Sequence, residues 1–202
     1  MKSKVDIANL SLGRLGDKNS IEDIDNPTNQ TELIINRWYD ISRRSALRRM
    51  MPSFARTRGL WALSDYKPAF GYKYAYLYPN DCLKVIGIGD ADDFTDDYSV
   101  ENGYILTNTD YNGALPVRYV KDVKDISRFD DNFIELFSLM LAYNIAPEIT
   151  ESSQIITMLD NAIRFKTAEF TAVSGQENKQ IILKHSRLGM ARKGLTYGAS
   201  KK

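Results

Sequence analysis

YKYAYLYPNDCLKVIGI, residues 72–88, is the stretch whose reading decides the fold. Tyr72, Tyr74, Tyr76 and Tyr78 alternate with Lys73, Ala75 and Leu77, and that period of two places four tyrosines on one face of a strand. Pro79-Asn80-Asp81 interrupts the run, because proline has no N–H to give to a ladder. Cys82 to Ile88 is a second β-rich run, and Tyr98–Val100, Tyr104–Thr107 and Pro116–Val120 are further strand candidates. Asn102-Gly103 and Asn112-Gly113 separate them, and both are strong turn dipeptides. Residues 70–121 therefore read as a small antiparallel sheet.

Working outward, the period changes to that of helices. Residues 4–16 carry Val5, Ile7, Ala8, Leu10, Leu12 and Leu15, with Gly16 as a stop. Asn26-Pro27-Thr28 reads as a second helix start, since proline is tolerated in a first turn. Leu33, Ile34, Trp38, Ile41 and Ala46 or Leu47 then recur at helical spacing up to Met50, and Pro52 ends the run. Beyond the sheet, Phe133, Leu136, Phe137, Met140, Leu141 and Ile145 form a stripe closed by Pro147. Thr150 or Ser152 caps a further helix with Ile156, Leu159, Ile163 and Phe170 on its inner side. The expectation is an α+β chain: a mainly α-helical bundle with an inserted small antiparallel β-sheet and an extended C-terminal tail. Residues 1–178 form one domain, helical over 1–58 and 122–178, and residues 179–202 form a basic tail.

The 202 residues are 43% hydrophobic and 26% charged, an ordinary globular composition. No apolar run reaches bilayer length, and Asp6, Asn9 and Arg14 break up any secretion-signal core, so a soluble, intracellularly folded protein is expected. Net charge is +1, but the charges are segregated. Arg37, Arg43, Arg44, Arg48, Arg49, Arg56 and Arg58 stand against one acid, Asp40. Asp90, Asp92, Asp93, Asp96, Asp97 and Glu101 form the opposite block. After Glu177 there is no acid, while Lys179, Lys184, Arg187, Arg192, Lys193, Lys201 and Lys202 follow. Opposed blocks suit interlocking between neighbouring subunits, or contact with a polyanion.

Enzyme signals are weak. His185 is the only histidine and lies in the basic tail. Cys82, the single cysteine, sits in a β run as a small core residue, and burial disfavours its thiolate. Measured as a calcium loop from Asp90, the acidic block has Phe94 at a ligand position and Thr95 in place of the turn glycine. No catalytic residue, cofactor site or metal site is assigned. The tyrosine face is read as cross-strand packing before it is read as a platform for bases.

Several segments, taken together, carry a resemblance. ALRRMMPSFAR (Ala46–Arg56), YKYAYLYPNDCLKVIGI (Tyr72–Ile88), ENGYILTN (Glu101–Asn108) and the run Val117–Thr150 resemble, in order, segments of bacteriophage head-to-tail adaptor proteins of the P22 tail-accessory-factor and T7 tail-tubular-A type. The likeness spans roughly residues 5–175; each motif is unspecific by itself and the order is what carries it. Pro52 stands where that group often has tryptophan.

The resemblance implies a structural virion protein of the head–tail junction, assembled in the host cytoplasm and not an enzyme. Its partners would be further copies of itself in a ring of twelve, the portal protein, a downstream tail or nozzle protein, and double-stranded DNA passing through the lumen; no membrane is involved. It also implies that the C-terminal segment reaches the portal, through Ile181, Ile182, Leu183, Lys184, Arg187, Leu188, Arg192, Lys193, Leu195 and Tyr197. The charge blocks suggest a subunit interface of Arg43, Arg44, Arg48 and Arg49 against Asp92, Asp93, Asp96 and Asp97. Two alternatives stay open: a sequence-independent DNA-binding module, and a tail-associated peptidoglycan hydrolase for which no acid–base pair can be named.

Overall fold

Residues 3–17, 20–89, 97–150 and 152–177 are described by a computed structural model of the chain. It is an α+β fold of four helices with two small antiparallel three-stranded sheets. Helices α1 (Lys4–Arg14) and α2 (Gln30–Met50) lead into strands β1 (Arg56–Ala62), β2 (Tyr74–Leu77), β3 (Cys82–Ile88), β4 (Tyr98–Glu101), β5 (Tyr104–Thr107) and β6 (Ala114–Lys121). Helices α3 (Asp131–Ile149) and α4 (Ser153–Glu177) follow.

Side-chain caps fix where the helices begin. Ser3 and Asp6 form a reciprocal capping box on α1, and Asp130 accepts from the Phe133 N–H at the start of α3. The second helix starts later than Asn26-Pro27 suggests. Asn29 is its cap, accepting from the Glu32 N–H, while the Glu32 carboxylate turns back to accept from the N–H and hydroxyl of Thr28. Asn26 belongs instead to a turn around Asp23, whose carboxylate accepts from the Asp25 and Asn26 N–H groups.

Helix α3 is the centre of the helical half, packed by α1, α2 and α4. Phe133, Leu136, Phe137, Leu141 and Ile145 are fully buried there, as the expected stripe requires. Pro147 does not close the helix. It lies in the last turn, where only one intrahelical bond is forfeited, and the helix runs on to Ile149. On α2 the buried stripe is rotated from the expected one: Ile34, Ile35, Tyr39, Ala46, Leu47 and Met50 are inside, whereas Leu33 and Ile41 are exposed. The polar 20–29 segment is pinned to the bundle. Asn9 both donates to and accepts from the Ile21 backbone, and Asn36 donates to the Ile24 carbonyl, with both isoleucines buried.

The β part differs from expectation in two ways. It begins at Arg56, not near residue 70, and it makes two sheets. One has the order β1-β6-β3 and the other β2-β5-β4, and a single bridge from Leu63 to Tyr76 joins them. The turn residues behave as their chemistry demands: Asn102, Gly103, Asn112 and Gly113 all have positive φ. Asn102-Gly103 closes the β4–β5 hairpin, but Asn112-Gly113 lies on the crossing from one sheet to the other.

Between the sheets lies a second, aromatic core of Trp61, Tyr76, Ile105, Leu115, Val117 and Tyr119. Tyr76 is wholly buried and its hydroxyl accepts from the Tyr111 N–H, while Tyr74 and Tyr78 pack beside it. Tyr72 lies outside the strand. The tyrosine face is therefore interior packing. Pro52 is buried, and Phe54 beyond it packs edge-on against Phe133 and tilted against Phe129.

Candidate interaction surfaces

Helix α2 distributes its arginines by phase. Arg44, Arg48 and Arg49 are exposed. Arg43 is 2% exposed and falls between Tyr39 and Leu47 on the buried side, so it has no surface to offer a neighbour. Its guanidinium donates to Asp122, to the Val123 carbonyl at 2.7 Å and to Asp40 at 3.1 Å. Burial works against its charge, but the hydrogen bonds and charges of Asp122 and Asp40 prevail and hold it protonated. The residue clamps α2 to the segment that leaves β6. Arg37 is also engaged: it and the Trp38 indole N–H donate to the two oxygens of Glu148 on α3, at 3.0 and 2.8 Å.

The first sheet carries a cationic surface that the charge pattern along the chain does not reveal. The register sets Arg58 directly opposite Arg118, and Leu60 opposite Pro116 on the same face. Near Val120 this face packs on the helical core, and farther along it Leu60 is 73% exposed. A groove of about 370 Å³ runs there, lined by Arg58, Leu60, Gly89, Pro116 and Arg118. Burial first, then the positive charges of Arg58 and Arg56, weaken the hold of Arg118 on its proton. In sequence, Arg118 lies 60 positions from Arg58; only strand register brings them together.

Of the expected acidic partners, Asp97 is described, and it is exposed. Asp92, Asp93 and Asp96 lie outside the described residues. So do all the expected portal-binding residues: Ile181, Ile182, Leu183, Lys184, Arg187, Leu188, Arg192, Lys193, Leu195 and Tyr197.

Cys82 is buried, and its thiol pKa is raised by that burial, which fits a core residue. Among the described residues no cluster of three or more His, Cys, Asp or Glu side chains could hold a metal ion, and no helix is long and apolar enough to cross a membrane. No protein-family model matches this chain, and comparison with curated proteins returns no significant match.

Proposed function

We propose that this chain is the repeating subunit of a bacteriophage head-to-tail adaptor ring, a structural protein that docks on the portal, extends the DNA channel and supports the tail. The order of elements is the observation that carries the reading. Two helices, a β insertion entered at Arg56 and left at Lys121, and two more helices reproduce the architecture that the resembling segments imply. The helical pieces on either side of the insertion fold on one another, with α3 packed on both α1 and α2, so the β part projects from a closed bundle. That is a sensible build for a ring subunit: a rigid block to stack beside its neighbours and a separate β surface to contact them.

The basic segment from Lys179 supplies the portal contact in this reading. Its isoleucines and leucines would fill apolar pockets and its cations would meet acidic rims. Deletion of residues 180–202 is expected to abolish portal binding while leaving the fold intact. The decisive experiment is mass measurement and negative-stain imaging of the chain alone and mixed with its portal. A ring on the portal supports the proposal. A chain that ignores the portal but shifts duplex DNA, or clears peptidoglycan in a zymogram, rejects it.

A further inference from the structure

We infer that the outer edge of β1 pairs with the outer edge of β4 in a second copy of this chain, so that strand pairing continues from subunit to subunit. The inference rests on the ring reading above. Antiparallel strands exchange hydrogen bonds at alternate residues. The Leu63 N–H donates to the Gly113 carbonyl, so the odd-numbered residues of β1 bond β6, and the backbone groups of Arg58 and Leu60 face away from it. Strand β2 meets β1 only at the Leu63–Tyr76 bridge. Among the described residues, no hydrogen bond engages the backbone groups of Arg58 or Leu60. The same alternation opens β4. The Tyr78 N–H donates to the Gly103 carbonyl, so odd-numbered residues of β5 bond β2 and even-numbered ones bond β4. Glu101 and Ser99 take those bonds, which leaves Tyr98 and Val100 with their backbone groups turned outward.

An open edge is a template for a strand of another chain, and charge decides which strand. Strand β1 contains Arg56 and Arg58 and no acid, whereas β4 contains Glu101 and no base. Two copies of β1 would set a basic strand against a basic strand, and two copies of β4 would set acid against acid. The mixed pair joins opposite charges. It is also a head-to-tail contact, the kind that closes into a ring. The chain's own β4 is not the occupant, because the order β2-β5-β4 places it at the far edge of the second sheet, two strands from the bridge to β1. Strand β3, at the other edge of the first sheet, is a poorer template: two register shifts interrupt it, and α2 touches it.

The side chains at the open positions suit the same pairing. Leu60 and Val100 are both exposed large aliphatic residues, and an antiparallel pair that sets one opposite the other covers both. That register places Glu101 of the second copy opposite Gly59. The Trp61 indole nitrogen lies there, 3.2 Å from where a Cβ on Gly59 would stand. Trp61 is buried, and among the described residues its indole N–H donates no hydrogen bond. The incoming carboxylate supplies an acceptor at that point.

Two kinds of variant test this in the full chain mixed with its portal. L60C/V100C, oxidised and run on a non-reducing gel, should give a ladder of linked multimers, while L60C alone and V100C alone should give none. Val100→Pro and Leu60→Pro each remove an outward N–H and leave the β4–β5 and β1–β6 bonds in place. Each should raise the protein concentration needed for rings, seen by sedimentation and negative-stain imaging, at least tenfold. If the proline variants do not fold, the disulfide ladder decides alone. Rings that assemble from both folded proline variants at the wild-type concentration overturn the inference and leave the ring reading standing. So does an L60C/V100C chain that links only to itself or stays unlinked within rings, and so do dimers from either single-cysteine variant, which would show like edges pairing. A wild-type chain that forms no ring on the portal removes both.

Discussion

The helical half and the β half of this molecule are held together by different means. The helical half has one large core in which aliphatic side chains surround Tyr39, Phe129, Phe133 and Phe137, and α3 is packed by the other three helices. The β half has strands as short as four residues and a small core in which Trp61, Tyr76 and Tyr119 supply much of the bulk. Trp61 meets Tyr119 and Tyr78 edge-on at 5.3 and 5.4 Å, and a tyrosine hydroxyl rather than a methyl group completes the packing around Tyr111. Volume stabilises the first half; geometry and placed hydroxyls stabilise the second. Substitutions should therefore act differently on the two.

The largest effect is expected in the helical half. Phe137→Ala empties a fully buried site touched by Tyr39 and Phe133, and should destabilise the protein by about 4 kcal/mol in urea denaturation. A loss under 1 kcal/mol would mean that the bundle is not the dominant core. Next comes the joint between the halves. Arg43→Ala leaves Asp122 facing a buried vacancy and frees the Val123 carbonyl, at a cost of about 3 kcal/mol. Its distinguishing signature is a split transition, with tryptophan fluorescence and far-ultraviolet circular dichroism no longer coincident. Coincident curves would show that the halves remain one cooperative unit without the clamp.

The smallest effect belongs to the β half. Tyr76→Phe removes the acceptor of the Tyr111 N–H and should cost about 1 kcal/mol at neutral pH. It also sharpens the contrast at alkaline pH. Burial raises the pKa of Tyr76, Tyr78 and Tyr119 in the β half, and of Tyr39 in the bundle. A folded-state pKa above the unfolded value, about 10 for tyrosine, means that the neutral form is favoured in the fold. Stability is then intact below pH 10 and falls as the pH rises above it. The wild-type protein should lose stability there, and Tyr76→Phe should lose less per pH unit. An identical pH slope for the two proteins would show that Tyr76 does not contribute to the alkaline transition.

How far the sequence carries the fold follows the same division. Runs with a strong local signal were legible: the helical stripe of α3, the β-rich composition of Cys82–Ile88 and the Asn-Gly turn dipeptides. Strand β1 was not. RTRGLWA has no alternation of apolar and polar residues, and its arginines extend the basic block of the helix before it; only pairing with β6 makes it a strand. Nor does a period of two say which strands pair, so two sheets read as one. Arg43 was misplaced because adjacent arginines look alike in sequence, yet 100° of helical rotation puts one inside and its neighbour outside. The sheet groove was hidden for a related reason: a pair of bases 60 positions apart has no local signature.

The β half is inserted, with both its entry and its exit in the helical half. Tension that enters through α1 and α4 therefore runs through the bundle, and the sheets bear none of it until the bundle gives way. Arg43 crosses the gap from α2 to the exit strand, and Arg128 donates to the Phe54 carbonyl on the entry side at 2.6 Å, so each crossing has its own rivet. Under load the bundle would act as the beam and the sheets as a passenger.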